Sequence, residues 1–331
     1  MMLIQFWKII IVSMWVSANV EGTDHNHDAH NALCELLQSA VGKWGDGGKG
    51  LSEPLSKALN RTIFGNESGG DIAELRSKLP EFYDEVLKGR GTRFGPCGGR
   101  ESGQSAPYDM VCLCTLGDGG WPLNDTQTAT TLCGQPEAAL EGGKDKKGWS
   151  ERGTGLDQIT ATWFNVTKHC LEGDKEKGET LKEALGNVLG KLENKPYGGY
   201  NRYQLGEGTP TEWSACTGYP PLGVCVMYYN STKITKTMPW WTDLQNAIPE
   251  EEKFQEEKKK REEEEKSQKQ DSSSIPGENS TLSRRRRAVP DSPNENEADS
   301  NLTAKFEKLQ SRSSTPIIPP PSWLFRAVLL I

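Results

Sequence analysis

Leu33-Cys34-Glu35-Leu36-Leu37-Gln38-Ser39-Ala40-Val41-Gly42-Lys43-Trp44 is the stretch that decides the fold class. Leu33, Leu36, Leu37, Ala40, Val41 and Trp44 recur at spacings of three and four, which stack a single apolar stripe along a helix. The glycines between Gly45 and Gly50 stop that helix. Further along, Ile72, Leu75, Leu79, Phe82 and Val86 alternate spacings of three and four, the seam of a coiled coil, and Pro80 is expected to kink this segment or begin it anew. Leu156, Ile159, Trp163, Val166 and Cys170 repeat the pattern. Leu181, Leu185, Val188 and Leu192 extend it beyond the polar stretch Glu172 to Lys177. These seams predict a mainly α fold, an elongated antiparallel helical bundle or coiled coil.

Between the helical regions the chain changes character. Gly89 to Lys147 is dense in glycine and carries Cys97, Cys112, Cys114 and Cys133. Glycine-rich chain of this length loses much entropy on ordering, so disulfides are expected to organise it as an irregular lobe at one end of the bundle. A second irregular stretch, Pro196 to Tyr219, leads into Val224-Cys-Val-Met-Tyr-Tyr229, whose composition is that of a strand.

The compartment follows from the two ends and the cysteines. Residues 1–22 read as a secretory signal with Lys8, the apolar run Ile9 to Val12 and small residues suited to cleavage after Ala18 or Gly22. In an oxidising compartment all eight cysteines, Cys34, Cys97, Cys112, Cys114, Cys133, Cys170, Cys216 and Cys225, are expected in disulfides, with Cys112 and Cys114 holding different partners and the pairing otherwise open. Sequons at Asn60, Asn66, Asn124, Asn165, Asn230, Asn279 and Asn301 are candidate glycan sites on an exposed surface. A net charge of -7 gives no footprint for nucleic acid.

Residues 23–248 are long enough for one disulfide-bonded ectodomain with a core of its own. From Pro249 the composition shifts. Glu250 to Gln270 is almost wholly Glu, Lys, Arg and Gln, a solvated helix at most, and the chain then turns rich in Ser, Pro, Asn and Glu. Residues 249–313 are therefore expected to be a charged and disordered tether. Ser311, Ser313 and Ser314 are small residues ahead of a proline-rich spacer and the apolar tail Trp323 to Ile331, the pattern of a glycosylphosphatidylinositol (GPI) anchor signal with Ser313 as the attachment site and residues 314–331 removed. That tail is too short to span a membrane as a helix.

Signs of catalysis are few. His169 adjoins Cys170, but adjacency in sequence does not make a nucleophile and base pair, and Cys170 is expected in a disulfide. His25, His27 and His30 offer metal-ligand chemistry, yet histidines on a loose new N-terminus are the plainer expectation. Gly45 to Gly50 lacks the spacing of a phosphate loop, and Arg284 to Arg287 behind a secretory signal reads as a protease-sensitive run. No enzyme activity, cofactor or metal is expected.

Several blocks in a fixed order carry a resemblance. They are the signal segment, the amphipathic helix bearing Cys34, Cys112-Leu113-Cys114, Thr162-Trp-Phe-Asn-Val-Thr-Lys-His-Cys170, Cys216 to Tyr229, Pro239-Trp-Trp-Thr-Asp-Leu-Gln-Asn-Ala247 and the anchor tail. Together they resemble a trypanosome variant surface glycoprotein, most similar to the B-type N-terminal domain as found in the livestock trypanosome congolense. The resemblance implies a helical-bundle ectodomain, a homodimer, attached to the outer leaflet of the plasma membrane through a GPI lipid. It also implies a dense coat that shields the cell from host antibodies and is switched in antigenic variation. Two features depart from the family pattern: no cysteine follows Cys225, where many relatives carry a second disulfide-bonded domain, and Arg326 interrupts the tail. The alternative is a GPI-anchored receptor for a host macromolecule on the same bundle, which would keep an exposed apolar pocket; Trp240 and Trp241 are its candidates.

Overall fold

A computed structural model describes residues 22–83, 91–124, 129–142, 148–151, 155–173, 180–231, 233 and 238–272. The chain divides into Met1–Ser273 and Ser274–Ile331, and every described residue lies in the first. The signal segment, Val86, Asn279, Asn301, Arg284 to Arg287, Ser313 and the apolar tail lie outside the described residues.

Strand β1 (Thr23–His25) runs directly into helix α1 (His27–Trp44). Ala29, Ala32, Leu33, Leu36, Leu37, Ala40 and Val41 are the buried stripe of α1, and Gly45 at φ 49° ends it in a conformation that glycine adopts without a Cβ penalty. Helix α2 (Glu53–Phe64) begins after Ser52 with Pro54 in its first turn, where the missing N–H is no loss, and buries Leu55, Ala58, Leu59 and Ile63. The next seam is shorter than its spacing predicts. Helix α3 (Ile72–Ser77) is capped by the Asp71 carboxylate, which accepts from the Ala73 and Glu74 N–H groups, and it buries none of its residues. Lys78 is already extended ahead of Pro80, and Ile72, Leu75, Leu79 and Phe82 are only half-buried.

The glycine-dense stretch holds a helix that no stripe announces. In α4 (Ala106–Cys114) all the residues from Ala106 to Cys114 are buried, so its sequence is apolar nearly all round. Strand β2 (Ala129–Leu132) pairs in parallel with β1, Asp24 facing Thr131 and His25 facing Leu132. The third seam is α5 (Leu156–Thr162), a π-helical turn (Trp163–Thr167) and α6 (Lys168–Cys170). Ile159, Trp163, Val166 and Cys170 are buried, whereas Leu156 at the start is 44% exposed. Helix α7 (Leu181–Gly190) opens with a capping box between Thr180 and Glu183 and buries Leu181, Ala184, Leu185 and Val188.

Strands β3 (Glu193–Asn194), β4 (Arg202–Glu207) and β5 (Val224–Tyr229) form an antiparallel sheet in that order. In β5 every residue from Val224 to Tyr228 is buried, which explains its unbroken apolar run. Helix α8 (Trp240–Ser272) closes the described chain. Around this frame α1 packs on α7, α2 and α4, α2 packs on α8, and α4 packs on β5, so α1 and α4 share one core.

Helix α8 passes without interruption through residue 248, where the composition changes. Trp240, Leu244, Ala247 and Ile248 are buried, and so is Glu251, whose carboxylate accepts the Ser52 N–H at 2.7 Å. The Arg61 guanidinium of α2 clamps the start of α8 by donating to Asp243 and to the Met238 carbonyl. Residues 256–268 are exposed throughout, a solvated face with pairs such as Lys260 and Glu256 at 2.8 Å.

Candidate functional site

All eight cysteines are paired. Cys34 of α1 joins Cys170 at the end of α6, with Cα atoms 4.9 Å apart, and fastens the first helix to the third seam. The other bridges are local: Cys97 to Cys112, Cys114 to Cys133, and Cys216 to Cys225 across the approach to β5. Cys112 and Cys114 are two positions apart on α4, about 200° around the helix, so their side chains leave on opposite sides and meet different partners.

Inside the cross-links a set of buried polar side chains does what apolar packing cannot. Arg93 is fully buried and donates to the carbonyl oxygens of Thr115 at 2.8 Å, Trp149 at 3.3 Å and Cys112, while its guanidinium lies 5.3 Å from the centre of the Trp149 ring. Two of those carbonyls lie at the C-terminal end of α4, where unpaired carbonyls and the helix dipole favour a cation. Burial pulls the guanidinium down from 12.5 to about 9, which still leaves it charged near neutrality. The backbone crowds closely here: a Cβ on Gly117 would stand 2.1 Å from the Gly218 carbonyl oxygen, and one on Gly148 would stand 1.7 Å from that of Gly117. The glycine density is thus a packing requirement.

Asn26 plays a similar part for another carbonyl of α4. Its Nδ2 donates to the Leu113 and Val224 carbonyls, both at 2.7 Å, and its Oδ1 accepts the Glu207 N–H at 2.7 Å. One amide therefore ties the start of α1 to α4, β4 and β5. Asp109, also on α4, accepts from the Tyr228 hydroxyl at 2.7 Å and from Trp240 Nε1 at 2.6 Å. Burial pushes its carboxyl up from 3.8 to about 7, against the donors from Trp240, Tyr228 and Gly103 that pull it down. Trp240 and Trp241 are buried and form part of the core.

None of the residues weighed for catalysis or metal binding forms a working group. His169 is largely exposed, 3.8 Å from Glu172, and the neighbouring Cys170 sulfur is in a disulfide. The N-terminal histidines sit on ordered elements and not on a loose end. His25 is in β1 against Glu207 at 3.2 Å and edge-on to Trp121, and His27 pairs with Asp24 at 2.7 Å. His30 falls beside Cys34 and Cys170, with possible ligand atoms within 4.8 Å of one another, but both sulfurs are bound to each other and are not thiolate ligands.

The outer surface is polar and carries the described sequons. Asn66, Asn165 and Asn230 are exposed, whereas Asn60 and Asn124 are half-buried. Asn60 is engaged on both sides of its amide: Oδ1 accepts from Trp44 Nε1 at 2.7 Å and Nδ2 donates to the Glu67 carbonyl at 3.0 Å. Among the described residues only Leu156 and Trp213 are large hydrophobic side chains with much exposure, and no helix is long and apolar enough to cross a membrane.

The model of one protein family, described as the trypanosomal VSG domain, matches residues 43–270, more than half of the chain. No curated protein and no solved structure matches it.

Proposed function

Because this chain belongs to the trypanosomal VSG domain family, a family of surface coat proteins, we propose that it is a GPI-anchored coat glycoprotein that shields the parasite cell and supports immune evasion by antigenic variation. The family match over residues 43–270 carries the reading. In this account the signal is removed after Ala18 or Gly22, the ectodomain of residues 23–248 acts as a homodimer with the first turns beyond it packed on it through Glu251, the remainder of residues 249–313 tethers it, and the lipid replaces residues 314–331 at Ser313 on the outer leaflet. Host antibodies are the partners that the coat meets.

A wall of polar side chains, glycans and cross-links suits a shield. Exposure favours glycan on Asn66 and Asn230, whereas a sugar on Asn60 or Asn165 would crowd an amide nitrogen that already donates, to the Glu67 carbonyl at 3.0 Å and to the Ala139 carbonyl at 2.7 Å. The scarcity of exposed large apolar side chains among the described residues supports the coat over a macromolecular receptor, whose contact surface needs a patch of on the order of several hundred Å². Treatment of intact cells with a phosphatidylinositol-specific phospholipase is expected to release the protein. Retention on the membrane after verified lipase action, in a form still ending in Ile331, would overturn the anchor.

A further inference from the structure

We propose that a groove between the end of α2 and α3 is the seat of the first sugars of an N-glycan carried by Asn66 of the same chain. The inference rests on the secretory reading of the protein, since the sequon Asn66-Glu67-Ser68 is a sugar acceptor only in a secreted chain. The groove has a volume of about 330 Å³, and Asn66 itself lines it together with Phe64, Leu75 and Pro80. Phe64 stands two positions before Asn66, and Gly65 between them, at φ 79°, turns the chain so that the asparagine side chain lies back beside the phenylalanine. The Asn66 amide nitrogen reaches the Phe64 carbonyl only at 3.4 Å, longer than an ordinary N–H···O bond, and the residue is exposed, so it is open to modification. The loop that presents it is held in place. Asn60 Nδ2 donates to the Glu67 carbonyl at 3.0 Å, and a Cβ on Gly70 would stand 2.8 Å from the Phe64 ring, so the backbone after the sequon closes against that ring.

The walls suit a sugar in two ways. Phe64, Leu75 and Pro80 are half-buried and make an apolar floor, and the Phe64 ring is oriented by Trp44, which it meets edge-on at 5.3 Å. A pyranose ring presents a face of C–H bonds with a slight positive charge, which complements the negative face of an aromatic ring. Around this floor stand Asp71, Glu74, Lys78 and Glu81, all exposed, with Glu74 and Lys78 paired at 2.8 Å. Carboxylates accept from sugar hydroxyls, and the ammonium donates to an N-acetyl oxygen. A free ligand would need to bind this shallow site on its own affinity. A sugar linked to Asn66 would not, because its attachment holds it there at an effective concentration on the order of millimolar. The same occupant accounts for α3, which buries none of its residues although Ile72 and Leu75 follow an apolar spacing: the cover comes from the glycan.

The test uses the full-chain protein secreted from a eukaryotic host that attaches N-glycans. Peptide mass spectrometry is expected to find the sugar on Asn66. Ser68→Ala, which abolishes the sequon and leaves Asn66 in place, is expected to lower the melting temperature by about 2 to 4 °C. In a Phe64→Leu background, or in Leu75→Ala should that variant fail to fold, the same Ser68→Ala change is expected to have little further effect, because the wall on which the sugar rests is altered. An unmodified Asn66 overturns the proposal and leaves the coat reading standing, since release by the lipase tests that separately. Equal melting of the parent and Ser68→Ala overturns it too, for the sugar then points into solvent, and so does a loss of the same size with and without Phe64. If Leu75→Glu turns a dimer into a monomer, a second copy of the chain covers the groove in place of the glycan, and the proposal fails.

Discussion

Helix α1 and the glycine-dense segment around Arg93 are equally buried and are held by opposite means. Helix α1 follows the ordinary amphipathic rule: an apolar stripe faces the core and each residue in it adds a little. The segment from Gly91 to Ser150 has short helical pieces, two disulfides and backbone crossings that leave no room for a Cβ. Besides the apolar side chains of α4 that join the shared core, it depends on a few polar side chains aimed at carbonyl oxygens. Distributed packing degrades gradually under substitution, whereas a structure hung on one guanidinium fails at one residue.

The largest expected effect lies where the two regimes are stitched together. The Cys34–Cys170 bridge closes a sequence separation of 136 residues, and by loop entropy its removal in the Cys34→Ala, Cys170→Ala double variant is expected to cost about 5 kcal/mol. The same change at Cys216 and Cys225, which are 9 residues apart, is expected to cost about half as much. Denaturant unfolding of the two variants would rank them; equal losses would mean that α1 is fastened by packing alone.

Arg93→Met comes next. It keeps much of the volume but leaves the Cys112, Thr115 and Trp149 carbonyls facing an apolar chain, and is expected to cost about 3 to 5 kcal/mol. Arg93→Lys is expected to recover only part of that, because one ammonium cannot reproduce the planar fork. Parent-like unfolding of Arg93→Met would erase the contrast between the two regions.

These residues also show how much could be read in advance. The stripe of α1 and the buried strand β5 were legible because a half-buried helix and a fully buried strand each print a pattern. Helix α4 was not, since a helix buried on every side has no stripe. Its one local signal is Ser105 followed by Pro107, a cap and a first-turn proline. Arg93 and Asn26 were illegible for another reason: a lone arginine among glycines and an asparagine among histidines look like surface, and only the fold brings distant carbonyls to them. The seam after Ile72 misled because Pro80 cuts it before it can bury a face.

A smaller effect should appear in the pH dependence of stability. The Asp109 carboxyl is raised from 3.8 to about 7 in the fold, so the folded protein holds that proton more tightly than the unfolded chain does. Its contribution is complete below about pH 4 and is lost as the pH rises toward 7. Melting temperatures recorded across that range should fall more steeply in the parent than in Asp109→Asn. Identical slopes would show that the carboxyl titrates without coupling to folding.

The smallest expected effect is at the exposed end of α8. Glu256→Ala and Lys260→Ala remove a fully exposed pair, and the melting temperature is expected to stay within error of the parent. A clear drop would mean that this half of the helix is buried against another molecule, such as a second copy of the chain.

Peptide mass spectrometry of unreduced protein taken from living cells tests the coat reading and its cross-linked frame together. The expected result is a last peptide ending at Ser313 with the lipid-linked glycan attached, alongside the pairs Cys34–Cys170, Cys97–Cys112, Cys114–Cys133 and Cys216–Cys225. A last peptide that runs to Ile331, or a different set of pairs, would contradict it.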